Sequence, residues 1–273
     1  MPTLFDFSNY DQLIPLVTNS LIAGALLALI GGLVGVFVMT RDMSFAVHGI
    51  SELSFAGAAI ALLLGLNVVA GSVVGSLAAA LIIGALGAKA KERNSIVAVL
   101  MPAGLGVGIL ALSLYQGRAA NKFGLLTGQI IAVDDPQLVW LIAICGTVLL
   151  TLALVWRPLS FASLDAEVAA ARGVPTRALS IVFMLVLGLS VAASIQVVGA
   201  LLVLSLLVTP AAAALRVSSS QIVVPILSVT FALISVLGGI LLALGGGLPI
   251  SPYVTSISFL IYLVCRLIER VRR

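Results

Sequence analysis

The only histidine of this sequence, His48, stands four residues before a glutamate, Glu52, in the stretch Met43-Ser-Phe-Ala-Val-His48-Gly-Ile-Ser-Glu52. On a helix, residues four apart share one face, with Cβ atoms about 5–6 Å apart. An imidazole nitrogen and a carboxylate oxygen presented together are two ligands for a divalent transition metal. A closed tetrahedral site takes four ligands, so one chain offers an incomplete site, suited to holding an ion briefly and releasing it. The competing reading is a polar pair that locks two helices together. Nitrogen plus carboxylate, with no thiolate, accommodates Mn2+ or Zn2+, and the carboxylate oxygen favours the harder Mn2+. Other chemistries are missing. One histidine cannot supply the His-Glu-x-x-His helix of a zinc hydrolase, and no Gly-x-x-x-x-Gly-Lys-Ser/Thr phosphate loop is present. The chain therefore reads as no enzyme, with no permanently bound cofactor, and ATP hydrolysis, if used, belongs to another subunit.

The elements that must hold this pair are membrane helices. The composition is 62% hydrophobic and 9% charged, with a mean hydropathy of +1.28, whereas soluble domains are about 25% charged. Long apolar runs of this kind read as transmembrane helices. They cover Leu13–Met39, Ser44–Leu66, Val68–Ala88, Ile96–Tyr115, Leu138–Trp156, Ala178–Leu215, Gln221–Leu244 and Tyr253–Ile268. As one helix the sixth run would reach about 57 Å, against a hydrocarbon core of about 30 Å. It must break, with Gln196 and Gly199 at the breakpoint and Thr209-Pro210 disturbing the second half. An all-α polytopic bundle of eight to nine transmembrane helices follows, forming a single domain over residues 1–273. Charge favours nine. With the N-terminus outside, twelve of the fourteen basic residues fall on the cytoplasmic side, and only Arg118 and Lys122 face out. The basic balance is thus a topology signal and implies no nucleic-acid partner.

Ionisable or polar groups inside the bilayer are expensive and usually serve a purpose. Gln196, Ser205 and Thr209 fit the satisfaction of a broken backbone and are also candidates for lining a pathway. Cys145 and Cys265 read as small buried hydrophobes, and Asp134-Asp135 as a solvated outer loop. The long loop 116–137 shows no derivable role. The loop Arg157–Arg177 carries a full set of helix signals: Ser163 or Asp165 as cap, Glu167 in the first turn, Arg172 near the end, Gly173 as stop and Pro175 beyond. The expected element is a short cytoplasmic surface helix over about 163–173.

Three of these segments together resemble the permease subunit of bacterial ABC importers for zinc, manganese and iron. They are Met43–Gly57, Asp165–Pro175, and the run Val197-Val-Gly199-Ala-Leu-Leu-Val-Leu-Ser205-Leu-Leu-Val-Thr-Pro210-Ala-Ala-Ala-Ala. Where the family typically has aspartate, three residues, then histidine, this chain has His48 and Glu52 in the same spacing. Phe123-Gly124, Ile130-Ile-Ala-Val and the glycine-rich approach to Pro249 fit as well. The resemblance implies a type II ABC importer-like permease in the plasma (inner) membrane of a bacterium. It further implies a homodimer, a cytoplasmic ABC ATPase subunit that binds ATP, and an extracellular metal-binding protein. It assigns Asp165, Glu167, Arg172, Gly173 and Pro175 to coupling with the ATPase, and Mn2+ or Zn2+ as the ion carried past His48 and Glu52.

Two rival functions remain at this stage. A proton-coupled secondary divalent-metal transporter would use His48 and Glu52 as a relay and would stop when the proton gradient is dissipated. Such carriers often show inverted repeats, and none is found in this sequence. A structural membrane subunit would use the pair for packing and would bind no metal.

Overall fold

The computed structural model describes residues 14–87, 90–117, 125, 133–199, 202–246 and 250–272. Arg118, Lys122, Phe123-Gly124, Ile130 and Pro249, named above, lie outside the described residues. After a 3-10 turn at Pro15–Val17 come α1 (Thr18–Thr40), α2 (Ser44–Leu63), α3 (Val68–Leu86), α4 (Ala90–Leu114) and α5 (Asp135–Leu164). The remainder is α6 (Ala166–Ala171), α7 (Thr176–Val198), α8 (Val203–Leu207), α9 (Thr209–Val217), α10 (Val223–Gly246) and α11 (Ile250–Arg272). Among the described residues there is no strand, and eight helices are long and apolar enough to cross a bilayer: all but α6, α8 and α9.

The sixth apolar run breaks where glycine and proline place the break. Gly199 ends α7 at φ +78°, a conformation that side chains with a Cβ disfavour. Val208 separates α8 from α9, and Pro210 sits in the first turn of α9, where its missing N–H is harmless. The broken piece then descends beside its neighbours. Leu206 and Leu207 lie against Gly31 and Gly35 of α1. Ser258 of α11 donates to the Ser205 carbonyl at 3.4 Å, and Arg272 to the Val217 carbonyl at 3.4 Å. Ala211 and Ala214 finish in a cluster with Val36 of α1 and Val224 of α10. Among the described residues, eight long helices are thus joined by one shorter apolar stretch, the broken pair over Val203–Val217. Every described basic residue falls at the end of the bundle that holds Arg41, as the charge bias requires for a cytoplasmic face.

Close backbone approach sets α2, the helix that carries His48 and Glu52, against its partners. A Cβ on Gly57 of α2 would strike the Gly71 carbonyl of α3, and one on Gly75 would strike the Leu53 carbonyl. Small residues four apart permit this approach between membrane helices. The hydroxyls of Ser54 and Ser72, 2.8 Å apart, bridge the same seam. Gly71→Leu is therefore expected to abolish the monodisperse peak of detergent-purified protein in size-exclusion chromatography. Gly106→Ala on α4, where no atom lies within 4 Å of an added Cβ, should leave that peak unchanged.

One boundary differs from the sequence expectation. The fifth span was expected to stop at Trp156, before Arg157-Pro158, yet α5 continues to Leu164. Pro158 frees the carbonyl of Leu154, a residue 75% exposed. Near the polar end of a span, water or headgroups can take that bond, so the proline does not end the helix.

Candidate functional site

The site begins at the corner between α1 and α2. Asp42 turns the chain at φ +52°, rare for a residue with a side chain. Arg93 of α4, buried to 9% exposure, donates to the carbonyls of Arg41 at 3.3 Å and Asp42 at 3.0 Å. These bonds satisfy acceptors left over at the C-terminal end of α1. Arg41 donates to Ser163 Oγ of α5 at 3.4 Å, and its guanidinium lies 5.6 Å from the centre of the Phe183 ring of α7. Burial, then the positive charge of Arg93, lowers the Arg41 pKa from its usual value. Sequence reading treated Arg93 only as a topology signal, whereas it fastens α4 to the corner between α1 and α2. Arg93→Ala should lower stability by about 2 kcal/mol, as loss of hydrogen bonds from a charged donor does. A fall in thermal midpoint of the purified protein, partly restored by Arg93→Lys, checks this.

From that corner α2 carries His48 and Glu52 in its first turns. His48 Nε2 and Glu52 Oε1 are 3.9 Å apart, with side chains 36% and 13% exposed. The separation is too long for a hydrogen bond, so the two do not lock onto each other. An ion about 2.1 Å from each atom can bridge it. α4 holds the intervening turn: Val97 presses on Gly49, and a Cβ on Gly104 would come within 3.1 Å of the Glu52 carbonyl. Sequence reading missed the close packing of Gly104 on the turn that carries Glu52, its only signal being the run Gly104-Leu-Gly-Val-Gly108.

No group of three or more His, Cys, Asp or Glu residues comes together among the described residues. His48 and Glu52 therefore stand as a pair without a third such group among the described residues. Nor do they line the apolar cavity of about 770 Å3 between α2, α3 and α4, which is walled by residues such as Leu53, Ile60, Val74 and Leu100. Of the candidate pathway residues, Ser205 lies on α8, which packs against α2. Its buried hydroxyl has no hydrogen-bond partner. Thr209 opens α9 half-buried, and Gln196 lies in the last turn of α7 with its side chain outside the described part. No hydrogen bond joins these three to His48 or Glu52 among the described residues. Cys145 and Cys265 are buried free thiols. Asp134 caps α5 by accepting from the Gln137 N–H at 2.9 Å, and Asp135 accepts from Asn19 at 2.8 Å. Both remain exposed, as the solvated reading expects, while Asp135 also links α1 to α5.

The cytoplasmic helix is shorter than the expected 163–173. It spans Ala166–Ala171, because Ser163 belongs to α5 and spends its hydroxyl on the Leu159 carbonyl at 2.6 Å. Asp165 is the cap, accepting from the N–H groups of Glu167 and Val168 at 3.0 and 2.9 Å. At the other end Gly173, at φ +81°, and Val174 donate to the carbonyls of Ala170 and Ala169, both at 3.0 Å. This double closure is a Schellman motif. Arg172 is its C-cap, and Pro175 stands just before α7. Only Ala169 is buried, so Asp165, Glu167, Val168 and Arg172 all face out from the cytoplasmic end.

Comparison with known proteins extends these observations. The family described as "ABC 3 transport family" matches residues 13–269. A manganese transport system membrane protein, MntC, from Halalkalibacterium halodurans is 30% identical over 234 residues, spanning 85% of this chain and 80% of that protein. The manganese import system permease protein ScaB of Streptococcus parasanguinis is 29% identical, spanning 85% of this chain and 84% of its own. The fold matches a chain of the structure "PsaBC from Streptococcus pneumoniae in complex with Fab" with a TM-score of 0.83. That match has 24% identity and covers 94% of this chain and 95% of the other.

Proposed function

As the chain belongs to the ABC 3 transport family, we propose that it is the membrane-spanning permease of a primary-active importer of Mn2+ in a bacterial plasma membrane. Similarity over most of the chain to relatives named for manganese transport carries this reading. The geometry supplies a matching mechanism. His48 and Glu52 offer nitrogen and oxygen at a spacing one ion can bridge, on a helix fixed by Arg93 and Gly104. Two copies facing one axis would bring four such ligands together. An extracellular metal-binding protein would deliver the ion to the outer mouth. The exposed, doubly capped α6 would dock into a separate ABC ATPase, with Asp165, Glu167, Arg172, Gly173 and Pro175 fixing its shape. Binding remains weak because each chain gives only two ligands, which lets the ion leave toward the cytoplasm.

The test is uptake of labelled Mn2+ by cells carrying the whole transporter. Uptake should cease when the partner ATPase cannot hydrolyse ATP and should persist when the proton gradient is dissipated with ATP maintained. The opposite pattern would convert the chain to a proton-coupled carrier. Competition by Zn2+ in the same assay ranks the two ions, and stronger inhibition by Zn2+ than by unlabelled Mn2+ would reassign the cargo.

A further inference from the structure

Two corners of the bundle meet at its cytoplasmic end, and neither has slack. The first joins α1 to α2. The Met43 N–H donates to the Val38 carbonyl at 2.8 Å and the Asp42 N–H to the Met39 carbonyl at 3.3 Å, so α1 closes in a Schellman motif. Asp42 holds its left-handed position at φ +52°, and α2 starts at Ser44. The second corner joins α5 to α6. Asp165 is at once the C-cap of α5 and the N-cap of α6, so the two helices share a residue and no loop separates them. A displacement of α6 therefore reaches the last turn of α5. A displacement of Arg41 likewise reaches the first turns of α2, where His48 and Glu52 stand.

These corners are tied to each other on two rungs. Phe37 and Arg41 lie four residues apart on α1, and Trp156 and Ser163 seven apart on α5, spacings that keep each pair on one helix face. The deeper rung is apolar. The Phe37 and Trp156 rings meet edge to face at 4.9 Å, with the Phe183 ring of α7 5.9 Å from Phe37. The outer rung is the Arg41 guanidinium on Ser163 Oγ at 3.4 Å. Its direction is fixed, since arginine only donates and the Ser163 hydrogen is committed to the Leu159 carbonyl. An arginine that merely marks the cytoplasmic face gains most by reaching into water. Arg41 is instead half-buried, with its Nε buried and without a hydrogen-bond partner among the described residues. Leaving such a donor unbonded is unfavourable. What the inward orientation gains is contact with α5 and α7 together.

We propose that Arg41 is a positioning residue for transport, the link that carries displacement of α6 through Ser163 into the helix bearing His48 and Glu52. The inference rests on the reading of α6 as the element that docks the ATPase. The Phe37–Trp156 contact keeps α1 and α5 in register, and the outer rung passes the movement on. Arg93 completes the link, because its bonds to the Arg41 and Asp42 carbonyls make α4 move with the same corner.

The test follows hydrogen–deuterium exchange in the assembled transporter, in lipid nanodiscs, before and after vanadate traps the partner ATPase with its nucleotide. In the unaltered complex, trapping should change exchange by about threefold or more both in residues 165–174 and in residues 41–48. In Arg41→Ala the response at 165–174 should remain and that at 41–48 should vanish, with Arg41→Lys restoring part of it. Ser163→Ala should behave as Arg41→Ala does, and the double variant no worse than either, as one shared contact requires. Thr147→Ala is the control, since that hydroxyl of α5 donates to the Ala143 carbonyl of its own helix, and it should change nothing. In proteoliposomes Arg41→Ala should move about tenfold less Mn2+ per ATP hydrolysed, the scale of one hydrogen bond from a charged donor. A response at 41–48 that survives Arg41→Ala would overturn the proposal, as would additive losses in the double variant. A response confined to 165–174 in the unaltered complex would overturn the link and leave docking by α6 standing. No response at 165–174 would overturn the docking reading and the link together. Exchange is read without added metal, so reassigning the cargo does not alter these outcomes. Where Arg41→Ala does not assemble, Ser163→Ala carries the same expectation, and an unaltered response at 41–48 in it would count against the link.

Discussion

Replacing His48 or Glu52 by alanine is expected to lower Mn2+ uptake by at least about 100-fold, because loss of even an indirect support of a metal ligand costs 10–100-fold in affinity or activity. On the proposed reading each chain offers two ligands and no reserve, as no third acidic, histidine or cysteine side chain joins them among the described residues. Assembly should be untouched. The pair does not hydrogen bond to itself at 3.9 Å, and the 36% exposure of His48 shows that the imidazole is not part of the packed core. Both variants should therefore reach the membrane and co-purify with the ATPase in normal amounts while uptake is lost. Glu52→Gln, which keeps the shape and removes the charge, should fail as badly as Glu52→Ala. Unchanged uptake in the alanine variants would leave the pair as a packing device and place the ion elsewhere.

The second large effect is expected at the tip of α6. Val168 is 46% exposed on a helix whose every other capping and anchoring position is satisfied. An exposed apolar side chain presented by a rigid helix is the kind of anchor that dominates a docking interface, at about 2 kcal/mol or more. Val168→Asp should reduce uptake by about 30-fold and release the ATPase from the purified complex, while Mn2+ binding by the permease persists. Asp165→Ala provides the scale. It removes only the cap, worth about 1 kcal/mol, and should weaken transport modestly. Full uptake in Val168→Asp would take the coupling role away from α6.

The membrane bundle was readable because its signal is redundant. Length and the excessive sixth run point to eight or nine spans and the charge bias to nine, and the break falls at Gly199 since few other residues tolerate its backbone angle. The ends of α6 were half readable. Asp165 and Gly173 are strong local signals, but Ser163 has the same chemistry as a cap and was recruited into α5 instead. Proline misled in the same place, because Pro158 lies where a free carbonyl costs little. Arg93 and Gly104 were not readable at all. Their roles arise from α4 lying across the start of α2, a tertiary contact between residues far apart in sequence, whereas His48 and Glu52 belong to one turn of one helix. The pairing of His48 and Glu52 on one helix face was thus legible locally, and the packing of α4 across it was not.

The most direct measurement of the central claim uses the chain's own composition. His48 is the only histidine, so an imidazole nitrogen coupled to bound Mn2+ in tag-free permease can come from no other residue. Pulsed electron paramagnetic resonance of Mn2+-loaded permease in lipid nanodiscs should show that nitrogen coupling, and His48→Ala should remove it. Bound Mn2+ with no nitrogen coupling in the unaltered protein would contradict the account.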